Sequence, residues 1–116
     1  MSGSNPTGPD LGQVLEALAA TISARADAGD AGASYTASLL AKGPNKIAKK
    51  LIEEAGELGL ALAGEGDADV TGEAADLLYH MLVGLEARGI SLGAVAQVLA
   101  EREGLSGLDE KASRSE

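Results

Sequence analysis

The sequence contains no cysteine, no tryptophan and no phenylalanine, and its 116 residues include only two tyrosines, one histidine and three prolines. Without cysteine it can form neither a disulfide framework nor a thiolate metal site, and a Cys–His dyad is excluded. Nor does any Ser–His–Asp motif surround the lone His80. Positive charge is also scarce: nine Lys and Arg stand against 18 Asp and Glu, a net charge of −9. A surface of that sign repels DNA and RNA at long range, so no nucleic-acid partner is expected. No apolar run approaches the ~18 residues of a membrane span. The first ten residues are polar and rich in Gly and Pro, unlike an export signal. These absences give a cytoplasmic location and no membrane partner as the expectation.

What is present favours helices. Hydrophobic residues make up 45% of the chain, too many for disorder throughout, and Ala, Leu and Glu outnumber β-branched and aromatic residues. Asp10 reads as a helix cap with Gln13 as capping-box partner, followed by Leu11, Val14, Leu15, Leu18 and Ile22 at helical spacing. Residues 27–33 read as a loop, and Ser34 caps a short helical turn over 35–41 that Lys42-Gly43 ends. Pro44 suits the first turn of a helix over 44–63. A polar loop is expected over 66–70, and Asp69 or Thr71 would cap a helix reaching Arg88, with Gly89 just beyond it. Ser91 caps a last helix through Arg102. The expectation is an all-α fold with four main helices in a bundle, residues 10–104, between polar tails over 1–9 and 105–116. Leu60 and Val83 lie off the main apolar stripes of their helices. Such extra faces usually meet another subunit, so a homo-oligomer, a dimer above all, is expected to complete the bundle.

Two acidic clusters stand apart from an ordinary helix surface: Glu53-Glu54-x-x-Glu57, and Glu73-x-x-Asp76 with His80 one turn on. At 100° per residue, Glu54 and Glu57 lie about 60° apart, and Glu73, Asp76 and His80 share a stripe of about 60°. A short connection makes the two helices antiparallel neighbours, so their stripes can face each other. Most such glutamates simply face water. Here Leu77, Leu78, Met81 and Leu85 on one side, and Tyr79 and Val83 on the other, flank the second stripe and favour shielding. Like charges at this spacing cost a few tenths of a kcal/mol when exposed and several if buried unpaired. Lys46, Lys49 and Lys50 lie one or two turns before the glutamates and cannot balance them all. A hard divalent cation such as Mg²⁺, which takes oxygen ligands and bridges carboxylates to phosphates, fits better. The lysines could meet phosphates or merely pair with Glu53, Glu54 and Glu57 along one helix. His80 could touch a substrate or be a satisfied, partly buried ring held from Asp76.

Glu53-Glu54-Ala55-Gly56-Glu57 followed by Glu73-Ala74-Ala75-Asp76 resembles the MazG-like all-α nucleotide pyrophosphohydrolases. The flanking segments SYTASL (34–39), IAKK (47–50), DLLYH (76–80) and REGLSGLDEK (102–111) narrow the resemblance to the phosphoribosyl-ATP pyrophosphohydrolases of histidine biosynthesis. That resemblance spans residues 11–114. It implies Mg²⁺-dependent hydrolysis of phosphoribosyl-ATP to phosphoribosyl-AMP and pyrophosphate. It also implies Glu54, Glu57, Glu73 and Asp76 as metal ligands, with Glu53 orienting or deprotonating the attacking water. Lys46, Lys49, Lys50, His80 and Arg102 are the candidate substrate contacts. The chain is too short to hold the cyclohydrolase fused to many family members, so a stand-alone enzyme is expected. The rivals are a pyrophosphatase acting on other nucleoside triphosphates, with the same acidic motif, and a helical oligomerisation module whose acids are merely solvated.

Overall fold

The computed structural model describes residues 8–32 and 34–103, all helix and turn. Five helices follow in order: α1 (Leu11–Ala28), α2 (Tyr35–Lys42), α3 (Pro44–Gly64), α4 (Asp67–Arg88) and α5 (Leu92–Arg102). The caps follow from side-chain chemistry. Asp10, Ser34 and Ser91 each accept a hydrogen bond from the backbone N–H three residues on, satisfying donors that a helix start leaves open. Gly29 and Gly89 close α1 and α4 in the left-handed conformation that costs glycine nothing. The short turn expected at 35–41 is a full two-turn helix. Most of the expected tails at 1–9 and 105–116 lies outside the described residues.

One boundary differs from expectation. Residues 66–70 are not a loop, and neither Asp69 nor Thr71 caps α4; the helix starts at Asp67 after Gly66. Asp67 and Asp69 place negative charge in the first turn, where the helix dipole favours it, and so stabilise the start without a side-chain cap. The Thr71 hydroxyl turns back to donate to the Asp67 carbonyl. The connection between α3 and α4 thus shrinks to Glu65 and Gly66, and the two helices form the most extensive packing in the fold.

The core is Ile22, Leu39, Ile47, Leu82 and Val83, with Leu15, Leu18, Tyr79, Met81 and Leu92 packed around it. Val83, expected on an outer face that meets another subunit, is fully buried instead. Its helix α4 packs against α1, α2 and α3, so more than one of its faces is interior. Leu60 is 74% exposed. α5 buries none of its residues completely and rests on the rest of the fold through the half-buried Leu92. No single described helix is long and apolar enough to cross a membrane.

Candidate metal and anion site

The antiparallel packing of α3 on α4 brings Glu54, Glu57 and Glu73 together: one carboxylate oxygen from each lies within 4.8 Å of the other two. Glu54 is buried, Glu73 half-buried and Glu57 exposed at the mouth. Three carboxylates this close repel one another unless a proton or a cation intervenes. Glu73 carries the strain. Its Oε1 is buried without a hydrogen-bond partner. Desolvation, then the neighbouring Glu57, Asp76 and Glu54 carboxylates, push its acid above the ordinary glutamate range.

An all-oxygen donor set with an orphaned buried oxygen fits a hard divalent cation better than any protein cation present. Lys50 is the nearest positive group among the described residues, with Nζ 3.6 Å from Glu54 and 3.9 Å from Glu53. Tyr35, then the Glu54 and Glu53 carboxylates, raise the Lys50 ammonium above its usual value against the opposing effect of burial. Lys50 therefore stays charged, but it reaches only the Glu53–Glu54 edge.

Asp76, the fourth expected ligand, stands on the same helix and acts on Glu73 through its charge, but it is exposed and outside the close trio. Glu53, beside Glu54 at the edge of the trio, lines a cleft of about 220 Å³ between α2 and α3. That cleft gathers Lys42, Lys46, Lys49 and Lys50 around Glu53, with Tyr35 and Leu39 of α2 forming the opposite wall. Of the candidate substrate contacts, the three lysines of α3 are thus brought together. Arg102 ends α5 and does not line this cleft.

His80 does not line it either. It is buried, with both ring nitrogens engaged. Nδ1 lies 2.8 Å from the Asp76 carbonyl oxygen, which can only accept, so Nδ1 carries the proton. Nε2 is hydrogen-bonded to the Tyr35 hydroxyl at 3.1 Å. Asp76 does hold the ring, but through its backbone. Tyr79 stacks on Tyr35 and its hydroxyl pairs with Thr36 Oγ1. His80 therefore stands behind Tyr35 as its support.

Sequence reasoning left Tyr35 out of the site. A signal was available: the chain has two aromatic residues, and one of them sits two turns before the Lys42-Gly43 helix end. Its approach to α3, however, depends on the turn at Gly43, which spacing within one helix does not reveal.

The fold and site define a helical protein with a cation-seeking carboxylate trio between two antiparallel helices and a lysine-lined cleft beside it. Residues 15–103 match the family model described as phosphoribosyl-ATP pyrophosphohydrolase. A phosphoribosyl-ATP pyrophosphatase of Dinoroseobacter shibae is 55% identical over 102 residues, covering 87% of this chain and 98% of that one. One from Paracoccus denitrificans is 52% identical over 115 residues, 98% of this chain and 99% of that one. A bifunctional histidine biosynthesis protein of Wolinella succinogenes is 49% identical over 87 residues, 75% of this chain but 38% of its own length. The chain belongs to the phosphoribosyl-ATP pyrophosphohydrolase family, and its class is hydrolase.

Proposed function

We propose that this protein hydrolyses phosphoribosyl-ATP to phosphoribosyl-AMP and pyrophosphate in the second step of histidine biosynthesis, with Mg²⁺ as cofactor. The observation that carries the reading is the convergence of Glu54, Glu57 and Glu73 around an unsatisfied buried oxygen, in a chain whose relatives bear that enzyme's name. Glu54, Glu57 and Glu73 would hold the cation, and Asp76 would join them or steady Glu73 from one turn away. Bound there, Mg²⁺ supplies the positive charge that neutralises phosphate oxygens and makes nearby water a better acid.

The chain's own residues do the rest. The trio fixes where the triphosphate can lie, because bare phosphate is repelled from it and only the cation-complexed chain is admitted. Glu53, beside the trio and outside it, orients the attacking water and accepts its proton as the water oxygen bonds to phosphorus and the anhydride bond breaks. Lys50, held at the boundary between trio and cleft, faces the phosphate oxygens left uncovered. The other lysines keep the cleft positive in a protein that is otherwise strongly acidic.

The functional unit on this reading is a homodimer. α5 lacks a buried residue, and Ile52, Leu60 and Leu62 of α3 and Leu99 of α5 are each more than 60% exposed. A second copy would cover surface of this kind. A cytoplasmic location accords with the chemistry of a soluble nucleotide substrate.

The deciding experiment is pyrophosphate release from phosphoribosyl-ATP, with and without Mg²⁺, for the unmodified protein and Glu57→Gln. Release that needs the metal and is lost in the variant is the expected result. Release from ordinary nucleoside triphosphates but not from phosphoribosyl-ATP would overturn the substrate, and release in EDTA would overturn the cofactor.

A further inference from the structure

Four of the nine basic side chains of this acidic protein line one cleft. Collecting like charges costs free energy unless something negative offsets them. Lys50 has Glu53 and Glu54 for this. Lys42, Lys46 and Lys49 make no ion pair with any described residue. The opposite wall is a half-exposed aromatic ring: Tyr35 is hydrogen-bonded through its hydroxyl to His80 and stacked on Tyr79. Ammonium groups without an ion pair among the described residues and a half-exposed ring face together suit a sugar phosphate.

Building on the proposed activity, we infer that the cleft formed by Tyr35, Lys42, Lys46 and Lys49 is a second anion subsite. It takes the phosphoribosyl end of the substrate and thereby selects phosphoribosyl-ATP over ATP. Two features separate it from the carboxylate trio. It carries its own positive charge, so it binds an anion without metal, whereas the trio admits phosphate only with a cation. It also runs along α3 away from the trio: Lys49 and Lys46 precede Glu54 by five and eight residues, about 7.5 and 12 Å at the helical rise. A substrate with a triphosphate at one end and a monophosphate on a second ribose at the other presents two anionic groups of this kind, with the nucleoside between them. ATP offers the first group alone.

The test uses the full chain in EDTA with ribose 5-phosphate as probe, followed by amide chemical-shift changes over residues 35–50, with ribose as the phosphate-free control. Saturable shifts with ribose 5-phosphate, absent with ribose and abolished in Lys42→Gln/Lys46→Gln, are expected. Both positions are exposed, and an unchanged circular dichroism melt verifies that the variant folds. In the presence of Mg²⁺, the ratio of kcat/KM for phosphoribosyl-ATP to that for ATP should fall at least tenfold in the same variant. Absence of saturable shifts in the unmodified protein would overturn the subsite. So would equal losses on both substrates, since the lysines would then serve the triphosphate. Failure to hydrolyse phosphoribosyl-ATP at all is a different result: it removes the proposed activity, while the metal-free binding measurement still reads the cleft alone.

Discussion

Glu73 shows how a single residue can be costly to the fold and useful to the site. Its acid is raised by desolvation and by the neighbouring carboxylates. In metal-free protein the folded state therefore holds this proton more tightly than the unfolded chain does. Between the ordinary glutamate value of about 4.3 and the raised one, folding takes up a proton, so stability falls as pH rises through that window. Thermal melts in EDTA should show this fall in the unmodified protein and a flatter profile in Glu73→Gln. The same substitution, or Glu57→Gln, should abolish most of the rise in melting temperature produced by Mg²⁺. It should also lower activity by at least about 10- to 100-fold, the loss that removing even an outer partner of a metal ligand produces. A solvated acidic face would instead show no Mg²⁺-dependent shift in any variant. The trio itself was legible in the sequence, because Glu54 and Glu57 share a helix face and a short connection sets α4 against it. That Asp76 sits outside the close trio was not legible. Helical spacing fixes the direction in which a side chain leaves the helix, but not where its carboxylate ends.

The turn that joins α2 to α3 decides whether the lysine cleft exists. Gly43 has φ 91° and ψ 172°, a region open essentially to glycine alone. A Cβ built there meets nothing within 4 Å, so the cost of a side chain is conformational, about 1–3 kcal/mol. Gly43→Ala should lose that much in urea unfolding. Asn, which tolerates the left-handed region, should give no rescue at Gly43, yet should be accepted at Gly89, where φ is 69° and ψ 27°. Equal costs of Asn at the two positions would show that the turn at Gly43 is not strained as described. Element ends were legible where a side chain caps them, as at Asp10, Ser34 and Ser91. They were misjudged at α4, because its start rests on the acidic first turn of Asp67 and Asp69 and no capping side chain marks it. The short α2 reads weakly for a different reason: eight residues have little helical preference alone, and burial of Thr36, Ala37 and Leu39 against the neighbouring helices holds them in place.

At the scale of the whole molecule, the described chain buries few large apolar side chains and leaves several in the open. Leu60 and Val83 had the same signature in the sequence, an apolar residue off the main stripe. They part ways because α4 is enclosed by three helices while α3 keeps a face toward solvent. Periodicity reports that a face is apolar, not which neighbour covers it. The two residues therefore separate the contributions of core and contact. Val83→Ala opens a cavity in the core and should cost about 1.5–3 kcal/mol at any protein concentration. Leu60→Glu touches no described core residue, so within a monomer its effect should stay inside about ±0.5 kcal/mol. If a second copy covers α3, the unmodified protein should instead run at twice the chain mass in light scattering. Its melting temperature should rise with concentration, and Leu60→Glu should remove both behaviours together. A monomeric mass for the unmodified protein, with a concentration-independent melt, would leave Leu60 as a solitary exposed leucine, and the proposed dimer would fall with it.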